Sequence, residues 1–404
     1  MNIILYHWKA YQYQQILEQL RQSGHQVTEY LTPIQNPESD PEYTDALIRY
    51  LSQHPCDCLF SINYFPVLSE ACLQAGIPYI CWTCDSPLIA MYHNSVLNSC
   101  NYIFVFDRTD YLHFQSLGVP HLFYLPLGTG IRLSQDPLPP SPTPEYAVSF
   151  IGSLYEKNSY DQIADKLPPY LKGYLDCALE AQLQVTGGNL LYRLLTPEIC
   201  EELEQISSYQ KSADSFSDLQ LLFANTVLGF KAASLNRIRS LNALAGALLP
   251  CRGREFDVED GVHLFTNSKW DVDAWEDLLP LVQTHSGVDY QTEMPEVIRK
   301  SRINLHFTIP NIRSGLPLRI WDIMGSGGFL LSNEQAEIAD LLEPGVDLEI
   351  FTSTEELIEK CQFYLKREDL RKQIARHGYL TVQQNYTGKQ QLEKLLQIVT
   401  AEIL

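Results

Sequence analysis

The sequence predicts an α/β protein made of two parallel-sheet domains, and three observations predict it. Short apolar runs alternate with helically spaced segments towards both ends of the chain. One stretch, Asp136-Pro137-Leu138-Pro139-Pro140-Ser141-Pro142-Thr143-Pro144, is too rich in proline to continue a helix or a central strand. The length, 404 residues, suits two domains at roughly 100–200 residues each. With 45% hydrophobic and 19% charged residues there is material for real cores, which excludes an intrinsically disordered chain.

In the first domain, 1–135, residues 2–6 read as a strand. Residues 12–22 place Ile16, Leu17 and Leu20 on one helical face, with Gly24 as the stop. Strands follow at 26–30, 58–62, 79–83, 101–106 and 119–125, with helices at 44–52 and 68–74 between them. Residues 136–146 form the linker. The second domain, 147–385, opens with a strand at 147–151 and carries a helical insertion at about 158–248. Strands are predicted at 262–265, 303–307 and 329–332, with helices at 294–301 and 318–324. Ser353-Thr354-Glu355-Glu356 has the spacing of a capping box ahead of a helix. A last helix, 386–404, is free to pack back on the first domain. Two such domains suggest a cleft, with ligands beyond the carboxyl ends of the strands.

Acidic residues outnumber basic ones 49 to 29, a formal charge of −20, so bulk charge excludes binding to nucleic acid or anionic membrane. No apolar run approaches about 18 residues, and the start lacks a basic region followed by a long apolar one. A soluble, cytoplasmic protein is expected, its ten cysteines reduced and mostly buried. Cys81-Trp82-Thr83-Cys84 has no second ligand pair to complete a zinc site.

Residues 295–320 hold Arg299, Lys300, Arg302, Arg313 and Arg319 against one acid, Glu296, a net +4 in an acidic chain. This reads as a phosphate site, or for Arg299, Lys300 and Arg302 as a solvated helix face. Arg313, Ser314, Gly315 and Pro317 fall on a strand-to-helix turn whose free N–H groups suit an anion. Asp322 lies three residues after Arg319, so the two share a face: one charge for phosphate and one for sugar hydroxyls, or a simple salt bridge. Gly325-Ser326-Gly327-Gly328 follows a helix and precedes a strand, the reverse of a dinucleotide fingerprint. These glycines suit a helix stop and a close backbone approach. Gly152-Ser153, with Lys157 after it, offers a second anion contact at a strand end. His7, Trp8, Asn63, Tyr64 and Asp85 fall at strand ends in the first domain, where Asp85 suits a base, an acceptor ligand or a helix cap. Asp271-Val272-Asp273 reads as helix capping rather than a metal motif.

Residues 304–331 resemble the donor-binding half of a glycosyltransferase of the GT-B fold. More narrowly, the chain is similar to the bacterial spore-maturation CgeB-like family. Phe60-Ser61-Ile62-Asn63-Tyr64-Phe65-Pro66, Trp82-Thr83-Cys84-Asp85-Ser86-Pro87, Phe104-Val105-Phe106-Asp107-Arg108 and Leu125-Pro126-Leu127-Gly128 resemble its N-terminal domain, and Phe150-Ile151-Gly152-Ser153-Leu154-Tyr155 its second.

The resemblance implies two Rossmann-like domains facing across a cleft. It implies transfer of a sugar from a nucleoside diphosphate sugar, UDP-sugar favoured, to a protein or cell-surface glycan, with no metal or other cofactor. Donor contacts would come from Gly152, Ser153, Tyr290, Asn311, Arg313, Ser314, Gly315, Arg319, Asp322, Gly327 and Gly328. His7, Trp8, Asn63, Tyr64 and Asp85 would face the acceptor, and Asp85, Arg319 and Lys157 would serve catalysis. Asp322 falls at the second glutamate of the Glu-x7-Glu pair found in related enzymes, which binds ribose, whereas Ser314 replaces the first, which touches the sugar. That serine keeps a non-catalytic sugar-nucleotide-binding module open as an alternative, beside a nucleotide-sugar epimerase of the same architecture.

Overall fold

The computed structural model describes residues 1–132, 143–207, 213–249, 259–268 and 279–403. Most of the proline-dense linker and Asp271-Val272-Asp273 lie outside the described residues. The chain divides into two compact units.

The first unit holds a six-stranded parallel sheet in the order β2-β1-β3-β4-β5-β6. Its strands are β1 (Asn2–Tyr6), β2 (Gln26–Tyr30), β3 (Cys58–Ile62), β4 (Tyr79–Trp82), β5 (Asn101–Val105) and β6 (Leu122–Tyr124). The central strands β3, β4 and β5 are buried at every residue, as a sheet covered on both faces requires. The edge strand β2 alternates instead. The order reverses between β1 and β3, whose carboxyl ends lead into His7-Trp8 and Asn63-Tyr64. The closing helix Gly388–Ile403 belongs to this unit. It starts where Gly388 N donates to Thr129 O, and a Cβ on Gly388 would lie 2.8 Å from that same oxygen. Asp214, Ser215 and Phe216, within the stretch read as a second-domain insertion, also belong here. Asp214 O accepts from Asn94 N, and Phe216 packs on Tyr92.

The second unit has its own parallel sheet, ordered β12-β11-β10-β7-β8-β9. The strands are β7 (Tyr146–Ile151), β8 (Glu259–Thr266), β9 (Val282–Ser286), β10 (Ser301–His306), β11 (Leu330–Asn333) and β12 (Glu349–Phe351). The two edge strands, β9 and β12, escape the hydrophobic pattern. β9 reads Val-Gln-Thr-His-Ser because only Val282 is buried, and β12 is three residues long. The core is filled by Val148, Phe150, Ile303, Leu305, Phe307 and Leu331 together with the helix Phe230–Leu248. That helix follows a π-helical stretch, Phe223–Gly229.

The strand order reverses between β7 and β10, which pair through Asn304↔Ser149 and Leu305↔Phe150. Helix Leu318–Gly325 returns from the carboxyl end of β10 to the amino end of β11. It stops in a Schellman motif: Gly328 N donates to Ile323 O, Gly327 N donates to Met324 O, and Gly327 has φ 79°. Before helix Thr354–Leu365, Ser353 Oγ accepts from Glu356 N, but the Glu356 carboxylate reaches Thr352 N rather than the cap residue.

Among the described residues no helix is long and apolar enough to cross a membrane, no cysteine is in a disulfide, and no His, Cys, Asp and Glu cluster could hold a metal.

Candidate functional site

The carboxyl ends of β7, β10 and β11 meet at one edge of the second unit, at its topological switch point. Arg237 lies there. It is 6% exposed, on the apolar face of helix Phe230–Leu248. Its Nη1 donates to Ser153 O at 2.6 Å and its Nη2 to Phe307 O at 2.7 Å, tying the ends of β7 and β10 together. The guanidinium lies 5.2 Å from the Phe150 ring centroid and 4.8 Å from that of Tyr155. Tyr155 takes a left-handed backbone, φ 51°, which a non-glycine residue adopts only where its surroundings hold it.

His306, the last residue of β10, is buried and hydrogen-bonds Thr308 Oγ1 through Nε2 at 3.2 Å. Burial, helped by the fields of Arg237 and Arg319, holds its imidazole well below the ordinary 6.5. The unfolded chain therefore takes up this proton first as pH falls. The stability His306 contributes is present above about pH 6.5 and is lost below it, at up to about 1.4 kcal/mol per pH unit. His306→Gln is expected to flatten the acid-side fall in urea-unfolding free energy by that amount.

Arg319 is half-buried in the first turn of helix Leu318–Gly325, which no side chain caps. Its Nη1 donates to Met294 Sδ. Among the described residues neither Arg319 nor Arg237 has a carboxylate within ion-pair distance. The salt bridge allowed by the Arg319 and Asp322 spacing does not form. Instead Asp322, 1% exposed, accepts at 3.0 Å on each carboxylate oxygen from the Tyr290 hydroxyl.

Ser314 is also buried. Its hydroxyl donates to Glu337 Oε1 at 2.7 Å, and Glu337 N donates back to Ser314 O at 3.2 Å. A carboxylate, 1% exposed, thus stands beside the serine, brought by the segment after β11. Arg313 is partly exposed and Gly315 buried in the same loop.

The basic stretch does not act as one patch, because β10 separates its members along the sheet. Arg299 pairs with Glu296 and Lys300 with Glu145, near the amino end of β10. Arg302 is the second residue of β10, at the same end. Only Arg313 and Arg319 lie beyond the carboxyl end.

Three further groups of the predicted donor residues take positions or partners of their own in the structure. Gly327 and Gly328 lie at the amino end of β11, away from the site. A Cβ on Gly328 would sit 2.4 Å from Ile298 Cγ2 and 2.7 Å from Asn304 Nδ2, so close packing demands this glycine. Asn311 is turned inwards, and its amide donates to Asn225 O in the π-helical stretch. Gly152 N is spent on Phe265 O, and the Ser153 hydroxyl accepts from Tyr155 N. Lys157, two residues on, is exposed with no ion-pair partner among the described residues.

In the first unit, the switch point gathers His7, Trp8, Asn63 and Asp85. Trp8 Nε1 donates to Ile62 O at 2.6 Å. His7 packs edge-on to Tyr13. Asn63, φ 64°, donates from Nδ2 to Asp85 Oδ2 at 2.6 Å and accepts from Cys84 N. Asp85 is exposed, so this bond aims an accessible carboxylate. Burial, with Asp85 next, pushes the Cys84 thiol up, which keeps it from acting as a thiolate. Tyr64 lies 1% exposed in the core with its hydroxyl on Ser95 Oγ, and presents no surface.

A cavity of about 50 Å³ adjoins the carboxyl ends of β10, β11 and β12. It is lined by Asn236, Ser240, Thr308, Asn333, Gln335 and Thr354, all uncharged, and so suits a neutral polar group rather than phosphate.

Residues 241–397 match the family model described as "Glycosyl transferase-like". No curated protein matches the sequence. Solved structures resemble the whole chain at low identity. The sucrose-phosphate synthase of Thermosynechococcus elongatus superposes with TM-score 0.57 at 10% identity, over 100% of both chains. A glycosyltransferase of Rickettsia africae gives TM-score 0.53 at 11%, over 100% of this chain and 98% of its own. Anabaena HepE, solved in complex with UDP-glucose, gives 0.52 at 10%, over 99% and 100%. The fold is that of GT-B glycosyltransferases.

Proposed function

We propose that this chain is a glycosyltransferase that takes its sugar from a nucleoside diphosphate sugar, UDP-sugar favoured, without a metal. The observation that carries the reading is the cation Arg319, without an acid partner, one turn from the buried carboxylate Asp322 at a parallel-sheet switch point. A nucleoside diphosphate has complementary parts, a diphosphate for the cation and ribose hydroxyls for the carboxylate.

In this reading Asp322 accepts from the ribose, displacing the Tyr290 hydroxyl. Arg319 and Lys157 balance the charge that develops on the departing diphosphate. Ser314 and Glu337 together supply the polar contact to the sugar that the replaced glutamate would have made. Asp85, aimed by Asn63, is the acid-base candidate on the first unit, and His7 and Trp8, after the carboxyl end of β1, are assigned to the acceptor. The acceptor class is a protein or cell-surface glycan, in keeping with the CgeB-like resemblance. The UDP-glucose complex of HepE supports screening uridine nucleotides first.

The test is slow, acceptor-free release of UDP from UDP-sugars, followed by chromatography with and without EDTA. Release that EDTA leaves unchanged is expected. Arg319→Ala is expected to weaken UDP binding about tenfold, from loss of a charged hydrogen bond of roughly 1.5–3 kcal/mol. Binding within twofold of the wild type would remove Arg319 from the site.

A further inference from the structure

The buried guanidinium of Arg237 has no role in the reading above and was not singled out by any sequence motif. Three observations set it apart. It bridges carbonyls on two different strand ends, Ser153 O and Phe307 O, at the point where the strand order reverses. It is 94% buried, with Nε lacking a hydrogen-bond partner and no carboxylate within ion-pair reach among the described residues. A second cation, Arg319, is close enough to act on it electrostatically.

A buried cation without a counter-charge is costly, and a second cation nearby raises that cost. Burial, chiefly, draws the guanidinium below its ordinary value, with Arg319 acting in the same direction. Two aromatic faces, Phe150 and Tyr155, offset part of the cost. Neither carries a formal negative charge. The fold therefore keeps a positive charge uncompensated behind the turn Gly152–Tyr155. The same guanidinium holds that turn in shape through the Ser153 carbonyl, while Tyr155 keeps its left-handed backbone.

We propose that Arg237 is a positioning residue for a pyrophosphate group: it locks the β7 and β10 ends into one anion-receiving edge and supplies the charge that the bound pyrophosphate neutralises. The inference rests on the nucleoside diphosphate reading and deepens it. The pyrophosphate itself contacts the turn and Arg319, and Arg237 acts through both.

The test compares wild type, Arg237→Lys and Arg237→Met by calorimetric titration with inorganic pyrophosphate, UDP and UMP. Wild type is expected to bind UDP more tightly than UMP and to be stabilised thermally by pyrophosphate. Arg237→Met, which keeps an apolar stem of similar length, is expected to lose about tenfold in UDP affinity while UMP binding changes far less. A merely structural defect would weaken both nucleotides alike, and that outcome overturns the proposal. Arg237→Lys keeps the charge but cannot reach both carbonyls, and is expected to fall between the two. If Arg237→Met does not fold, the lysine variant decides: affinities within twofold of the wild type for both UDP and pyrophosphate overturn the proposal. A wild type that binds no nucleoside diphosphate and no pyrophosphate overturns the parent reading as well. A wild type that binds them, with variants unchanged, overturns Arg237 alone.

Discussion

Asp322→Ala is expected to weaken nucleoside diphosphate binding by about 10- to 100-fold, which calorimetric titration would read directly. The estimate follows from charged hydrogen bonds worth roughly 1.5–3 kcal/mol each, with tenfold per 1.4 kcal/mol. Asp322 is 1% exposed, yet both its oxygens already accept from one hydroxyl, that of Tyr290. Two cis hydroxyls of a ribose offer the same pattern, an O–H for each oxygen. On the proposed reading the Tyr290 hydroxyl occupies the place of the ligand, and binding replaces it with two ribose hydroxyls. Tyr290→Phe separates the terms, because it removes the competitor and keeps the ring. An Asp322→Ala protein that binds within twofold of the wild type would move the nucleotide away from helix Leu318–Gly325.

Gly378→Ala is expected to be the most destabilising single-methyl change in the second unit. A Cβ there would lie 2.2 Å from Asp347 O and 3.2 Å from Met324 Cε. The carbonyl cannot retreat cheaply, because Asp347 is held at its other end. Its Oδ1 accepts from Thr381 Oγ1 at 2.7 Å and bonds His377 Nδ1 at 2.8 Å, and its Oδ2 accepts from Glu343 N at 2.9 Å. Helix Glu368–Asn385 would have to move outwards. Overpacking of this kind costs about 1–3 kcal/mol, and a backbone clash puts it at the upper end. Met324 lies on the helix that carries Arg319 and Asp322, so nucleotide affinity is expected to fall with stability. Urea unfolding checks the first effect and titration the second. An unchanged midpoint would show that the two segments separate freely.

Both effects depend on contacts that sequence pattern reveals unevenly. The buried central strands were legible because apolar residues run through them unbroken, and Cys58–Ile62 was placed to the residue. Of the edge strands, β2 is legible to the residue, whereas β9 and β12 are not, since only Val282 of β9 is buried and β12 is three residues long. Asp322 and Arg319 were legible as a pair on one helix face. Their contacts are not marked by spacing, because Tyr290, which only the resemblance names, arrives from the loop after β9 and Met294 from the start of helix Met294–Lys300. Likewise Glu337 reaches Ser314 across 23 residues, and no local spacing marks it. Arg237 did leave a signal. It stands at the position of a core residue, in register with Leu241, Leu244 and Leu248 on the buried face of its helix. An arginine in line with an apolar stripe needs a polar reason to be there, and the two strand-end carbonyls provide it. Net charge misled in the opposite sense. The cations of 295–320 counted together as one patch, but β10 is six residues long and carries Arg313 and Arg319 to the far end of the sheet from Arg299 and Lys300.

The proposed function requires that a nucleoside diphosphate bind at the switch point of the second unit. Calorimetric titration of the intact protein with UDP, GDP, CDP, ADP and TDP, each with and without EDTA, tests it most directly. Selective binding of one nucleotide is expected, UDP first among them, with an affinity that EDTA leaves unchanged. Binding of none of the five would contradict it, and would leave Arg237 and Arg319, which have no carboxylate partner among the described residues, without a ligand of that class.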